Sequence, residues 1–374
     1  MPTPPLSPEV MQKTLDDVAR YGTVKAAAEA QGIHYNTLSS RYHKAKRWRD
    51  ADPAARAASV AVGSTAVPNL LWAKTDAKGN ITYSAQYKYK PEHDVERLTE
   101  AVREGLSEVP PATFVPEPTA PNDICALFPV ADLHVGLLTD QEEVGEDWDS
   151  KKSADVFQKT FGRLVSVTPS AGTAILAQLG DLTHTDDQRN VTPQSGHQLD
   201  ADTRYFMILR RAVAVMKWGI EELRKKYPKV IYRGVRGNHD LTAHYAVTLA
   251  LAEHYKDVES VQIIDNAGEF YVHEFGSNMV LLHHGDRAKP DRLVHFAAAE
   301  WPEMWGRTKH RLALSGHVHH ETKREVGGMT FESVGTIIPR DVHAYSNAYS
   351  ARRCLVSITL DRAEGEITRA KVGV

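Results

Sequence analysis

From residue 122 onward, apolar runs of strand length recur, and each ends in side chains that bind metals or move protons. "ICALFPVADLH" closes on Asp132 and His134, "TAILAQLGD" on Asp181, and "KVIYRGVRGNHD" on Asn238, His239 and Asp240. "NMVLLHHGD" adds His283, His284 and Asp286, and "HRLALSGHVHH" adds His317, His319 and His320. Short apolar runs bounded by glycine and polar residues predict buried strands. Between them, "FMILRRAVAVMKWGIEELRKKYP" has the length and spacing of a helix, so the segment is α/β. Ligands bind at the carboxyl ends of strands in open α/β sheets, and five such endings can converge on one place. After His320, "KREVGGMTFESVGTIIPR" and "RRCLVSITLDRAEGEITRAKV" read as antiparallel strands closing a second sheet.

The N-terminal pattern is different. "PEVMQKTLDDVARYG" places Val10, Leu15, Val18 and Ala19 near helical spacing, with Gly22 as the stop. Thr23 caps a second helix that runs to Gly32, and "IHYNTLSSRYHKAKRW" predicts a third. Residues 1–50 therefore read as a helix-turn-helix, with Ala28, Ile33 and Leu38 between the helices. Its last helix carries Arg41, Lys44, Lys46, Arg47 and Arg49 with no acid among them, the footprint of phosphate contacts. Asn36, Thr37, Ser40, Arg41, Lys44, Lys46 and Arg47 are the candidate DNA-binding side chains. The bland alternative is a small helical bundle with a solvated basic face.

Residues 66–106 predict a β-hairpin plus a helix. In the second strand Ile81, Tyr83, Ala85, Tyr87 and Tyr89 alternate with polar residues, as in a packed hairpin. Residues 107–121 hold five prolines in fifteen positions and read as a stiff linker, which leaves residues 122–374 as the catalytic domain.

Composition narrows the class. The 374 residues carry a formal net charge of -3, with 25% charged and 42% hydrophobic positions, ordinary values for a globular protein. A nucleic-acid reading must therefore rest on local patches. Two cysteines, Cys125 and Cys354, lack zinc-site spacing and read as core residues in a reducing cytoplasm. No signal peptide or membrane span is expected, so the expected location is cytoplasmic and the partner is DNA, with no membrane. A homodimer is left open, with the hairpin of residues 70–90 as its interface.

Carboxylates and a neutral amide suit hard divalent ions, while imidazoles suit manganese, iron or zinc. One bridging carboxylate can hold two such ions. No serine or cysteine nucleophile motif accompanies the ligands, so water is the expected attacker.

The ordered set D-x-H, G-D, G-N-H-D, H-G-D and G-H-x-H resembles the calcineurin-like metallophosphoesterase superfamily across nearly all of residues 122–374. The resemblance implies two packed mixed β-sheets flanked by helices. It also implies two divalent metal ions, most often Mn2+, with Fe, Zn or Mg as alternatives. By the same resemblance Asp132, His134 and His319 hold the first metal, Asp181 bridges, and Asn238, His284 and His317 hold the second. His239 is then the general acid for the leaving alkoxide, Asp240 orients its ring, and a two-metal-activated hydroxide attacks phosphorus. Asp286 stands where that pattern often has a histidine, while His184, His320 and His343 read as supporting or surface groups.

The polar stretch after Asp181 makes Arg189, Asn190 and His197 candidates for phosphate or leaving-group contacts, with a purely structural excursion as the alternative. "RAKPDRLVHFAAAEWPEMWGRTKHR" reads either as a nucleic-acid track or as a surface helix pair. With the basic N-terminal helix, the expectation is a DNA-directed phosphodiesterase similar to the DNA-repair nuclease branch and to helix-turn-helix phosphoesterases of phages and prophages. Its alternatives are a phosphomonoesterase or nucleotide phosphodiesterase whose helix-turn-helix serves assembly, and a DNA-binding regulator with a non-catalytic phosphoesterase domain.

Overall fold

The structure, a computed structural model, describes residues 8–49, 70–75, 81–86 and 120–374. The chain divides into two compact units, Met1–Asp94 and Val95–Val374.

In the first unit, helices α1 (Pro8–Tyr21), α2 (Val24–Gln31) and α3 (Tyr35–Arg49) follow one another. Thr23 caps α2 by accepting from the Ala26 amide, and Gly32 ends it with φ 63°. Val18, Ala27, Ala28 and Leu38 form one small core. Met11, Leu15 and Ala45 form another, and Tyr42 touches both. Met11 rather than Val10 faces inward on α1, Val10 being 40% exposed, because the buried stripe runs through positions 11, 15 and 18. Strands β1 (Leu70–Thr75) and β2 (Ile81–Gln86) pair antiparallel with Leu70 opposite Gln86. The turn of the predicted hairpin, the helix after it and all but the end of the 107–121 linker lie outside the described residues.

The second unit is built on two sheets. β3 (Ile124–Val130), β4 (Thr173–Leu179), β5 (Lys229–Val235) and β6 (Val261–Ile263) run parallel. Three helices cross over between them: α5 (Ser150–Val167), α6 (Tyr205–Arg224) and α7 (Ala243–Tyr255), with the short α4 (Gln141–Val144) before them. Register explains the layering. Leu127, Ile175 and Ile231 lie side by side and face the second sheet. Their neighbours Phe128, Leu176 and Tyr232 face the helices. Each such fully buried large side chain contributes roughly 1.5–3 kcal/mol.

The second sheet orders its strands β10 (Thr322–Val326), β11 (Met329–Ser333), β9 (His310–Ser315), β8 (Asn278–Leu282) and β7 (Tyr271–Phe275). β8, β9 and β11 are parallel. Val280, Leu282, Leu312 and Leu314 turn toward the first sheet, while Met279, Leu281 and Ala313 turn outward under α8 (Pro290–Glu300) and α9 (Pro302–Arg307). The stretch that reads either as a nucleic-acid track or as a surface helix pair forms two helices seated through Leu293, Val294 and Ala297. The protein thus has two mixed sheets flanked by helices, an α/β sandwich.

One expectation is corrected. The last hairpin, β12 (Cys354–Asp361) and β13 (Gly365–Gly373), belongs to the first sheet, where β12 pairs antiparallel with β3 and Ile358 lies opposite Leu127. The parallel series grows from β3 in one direction only, so the other edge of β3 was open. Val356, Ile358 and Leu360 fill the same inter-sheet core from there. Cys125 and Cys354 are free and buried in these strands, and burial pushes the Cys125 thiol up to about 12. Among the described residues no helix is long and apolar enough to cross a membrane.

Candidate metal centre

Asp132 and His134 follow β3, Asp181 follows β4, and Asn238 and His239 follow β5; His284 follows β8, and His317 and His319 follow β9. The structure brings them together. The ligand atoms of Asp132, His134 and His319 all lie within 4.8 Å of one another, and so do those of Asp181, His284 and His317. Asp181 stands between the sets: one of its oxygens is 3.3 Å from His284 Nε2 and 3.7 Å from His134 Nε2. Asn238 Oδ1 is 3.0 Å from His284 Nε2.

The backbone is bent to achieve this. Among the described residues, seven other than glycine have positive φ, and five of them are Asp132, His134, Asp181, His317 and His319. Such conformations cost about 1–3 kcal/mol each and persist where the surroundings over-determine them. The surroundings here are two loops zipped together, with Asp132 and His134 amides donating to the carbonyls of Gly180 and Asp181. The glycines of the motifs serve as clearance. A Cβ on Gly237 would lie 1.9 Å from Asp181 Oδ1, and one on Gly180 2.4 Å from His284 Nδ1. Gly237→Ala is therefore expected to displace Asp181 and weaken Mn2+ binding by about 10–100-fold, the usual scale for disturbed ligand support. Titration calorimetry reads this directly, and an unchanged affinity would contradict the close approach.

Hydrogen bonds fix the imidazoles. His284 Nδ1–H donates to the Leu179 carbonyl at 2.8 Å, which leaves Nε2 as the ligating nitrogen. His134 Nε2 faces His319 Nε2 at 3.3 Å, and its Nδ1 faces His184 Nδ1 at 3.2 Å. Burial holds His134 well below the ordinary histidine range, and neighbouring histidines push the same way. Burial disfavours charge on His284 as well, but the Asp181 and Asp132 carboxylates outweigh it and raise this histidine to about 10. Imidazole nitrogens and two buried carboxylates thus converge on one pocket. Oxygen and nitrogen donors without thiolate fit a pair of divalent cations.

Asp240 does not orient the ring of His239 as expected. Its carboxylate is wholly buried and accepts the amides of Gly237 (2.6 Å), Leu182 (2.8 Å) and Asp181 (3.1 Å). The His239 ring instead donates from Nδ1 to the His184 carbonyl at 2.9 Å. The physical reason is that the turn sends Asp240 inward, under the crossing of the β4 and β5 loops, where three backbone donors need an acceptor.

Neither a protein-family model nor a curated protein matches the sequence. In structure the chain is similar to a predicted phosphoesterase from Streptococcus pneumoniae, at 13% identity and a TM-score of 0.30 over 67% of this chain and 98% of that one. It is similar to the phosphoesterase Yfce from E. coli, at 14% identity and a TM-score of 0.32 over 66% and 100%. It is also similar to vacuolar protein sorting 29 from Cryptosporidium parvum, at 13% identity and a TM-score of 0.32 over 68% and 100%. What the site can do follows from its own donors.

Other sequence candidates lie elsewhere. His283 is buried beside the Phe270 ring and faces neither ligand set, while Asp286 sits 3.7 Å from Arg236. Arg189 is ion-paired with Asp187 at 2.6 Å. Asn190 and His197 make their backbone hydrogen bonds within the same loop. On α3, Thr37 and Lys46 are exposed and Arg41 is half-buried; the side chains of Asn36, Ser40, Lys44 and Arg47 lie outside what is described. His320 and His343 are exposed.

Sequence reading undervalued His184. It is buried against His134 and His239, and burial with the neighbouring His239 lowers it to about 3. Its place three residues after Asp181 was the available signal. Thr336, whose hydroxyl donates to the Asp132 carbonyl at 2.7 Å, left none.

Proposed function

We propose that the chain is a metal-dependent phosphodiesterase acting on DNA. The observation that carries the hydrolytic half is the pair of ligand triads joined by Asp181 beside half-buried His239. Asp132, His134 and His319 would hold one cation, and Asn238, His284 and His317 the other, with Asp181 shared. Bound cations supply Lewis acidity, which lowers the pKa of an attacking water and neutralises charge building on the phosphoryl oxygens.

The chain supplies orientation and the proton. With Nδ1–H engaged by the His184 carbonyl, His239 in its imidazolium form has Nε2–H left to give to the leaving oxygen, ending as the neutral Nδ1–H tautomer. Asp240 holds the loop that carries Asn238 and His239 against the loop that carries Asp181.

The DNA half rests on α3, which places Arg41, Lys44, Lys46, Arg47 and Arg49 on one helix without an acid. A DNA-binding unit on the same chain raises the effective concentration of substrate at the centre.

End-labelled single- and double-stranded DNA incubated with the Mn2+-loaded protein is expected to be cut. Chelator should stop the reaction, and raising salt from 50 to 200 mM should slow it at limiting DNA. Intact DNA beside hydrolysis of a small phosphomonoester would replace this reading with the phosphomonoesterase one. Parallel loading with Mn2+, Fe2+, Zn2+ and Mg2+ ranks the metals, Mn2+ being expected first.

A further inference from the structure

The connection from β11 to β12 is far longer than the span requires. Its ends meet each other: the Cys354 amide donates to the Thr336 carbonyl at 3.1 Å, and Arg353 Nε donates to the Ile337 carbonyl at 2.7 Å. Thr336 also bonds the Asp132 backbone, so the loop stands directly on the first ligand set. Its root is rigid. Ile338 packs with Leu137 and Trp148, and Arg353 lies over the Trp148 ring and pairs with Glu146.

The outer part of this loop is formed and unusually bare. Asp341 caps helix α10 (Val342–Ser346) by accepting the Ala344 amide, and α10 lies against α4. Tyr345 is 50% exposed and Tyr349 62% exposed, with the Arg340 guanidinium 5.1 Å over the Tyr345 ring. From Pro339 to Arg353 the only acid is Asp341, which is spent on the cap, whereas Arg340 and Arg352 are exposed. A long loop with its own helix, rooted on a metal centre, and showing aromatic rings and guanidinium groups to solvent has the composition of a stacking platform.

We infer that residues 339–353 form a wall that binds single-stranded nucleic acid, with Tyr345 and Tyr349 stacking on unpaired bases beside the scissile phosphate and Arg340 and Arg352 meeting flanking phosphates. This rests on the phosphodiesterase reading and specifies its substrate. Duplex bases are already stacked on each other, so such rings serve an unpaired strand or a frayed end. The positive charge of the loop complements phosphate, and an aromatic face accepts any base, so the wall holds the strand without reading its sequence.

The test compares full-length Mn2+-loaded protein with a Tyr345→Ala/Tyr349→Ala double variant and a Tyr345→Phe/Tyr349→Phe control. Each is given a ten-nucleotide oligo-dT, the same strand annealed to oligo-dA, and bis(p-nitrophenyl) phosphate. The parent enzyme is expected to prefer the single strand. In the alanine variant, the ratio of kcat/KM for the single strand to kcat/KM for the small diester should fall about tenfold or more, mostly through KM, and the phenylalanine control should keep it. An unchanged ratio overturns the proposal, and so does an equal fall on both substrates, which would mark a structural role. A shift in oligomeric state of the alanine variant, with the ratio kept, would reassign the wall as a contact between copies of this chain. If the parent turns over the small diester but no oligonucleotide, the nuclease reading has failed before any variant is read.

Discussion

His239→Ala is expected to slow cleavage of a DNA phosphodiester by about 10²–10⁴-fold, the range for loss of a positioned general acid. The expectation follows from the ring's geometry: one nitrogen is tied to the His184 carbonyl, and the residue is half-buried at the edge of the ligand sets. The size of the effect depends on the leaving group. A sugar alkoxide is a strong base and needs the proton, whereas p-nitrophenolate departs without one, so the deficit on bis(p-nitrophenyl) phosphate should be far smaller. Metal content should stay at the parental level. The competing role is concrete, because the ligand atoms of His239, His134 and His184 also lie within 4.8 Å of one another and could hold a metal together. An equal loss on both substrates together with reduced Mn2+ binding would make His239 a ligand and end its assignment as the acid.

Asp240→Ala should be the most destabilising change near the site, although the residue touches no substrate. Three backbone amides converge on its carboxylate, and the side chain is fully buried. Unpaired buried donors cost about 1–3 kcal/mol each, so the loss is on the order of 5 kcal/mol. At roughly 2–4 °C per kcal/mol for a domain of this size, Tm should fall by about 10–20 °C. Calorimetry in the presence of chelator separates this from any effect of lost metal. Asp240→Asn should fall between, since an amide oxygen can still accept while its NH2 faces the donors. A Tm within about 2 °C of the parent for the alanine variant would remove Asp240 as the clamp between the two loops.

These two residues also show how far the sequence reaches. The strand runs and the polar residues that end them were legible because a buried parallel strand must be apolar until it leaves the sheet. Their convergence followed from strand direction. The partner of each side chain was not legible: Asp240 is next to His239 in sequence, yet a turn separates neighbours more readily than it joins them. The place of β12 beside β3 was hidden for a related reason, because an alternating strand satisfies any apolar sheet face equally well. Thr336 and the wall after it carry no motif; they become visible only once Asp132 is seen to lean on that segment.

The clearance glycines have a consequence for how such a centre can change. Gly180 of the G-D motif is required by His284 of the H-G-D motif, and Gly237 of the G-N-H-D motif is required by Asp181 of the G-D motif. These two motifs are not spelled by their own needs alone. A substitution tolerated at one loop depends on the residue at another, so paired changes across these loops should depart from additivity. A variant lineage could alter the outer loops one residue at a time, but the ligands and their facing glycines would have to be inherited as a block.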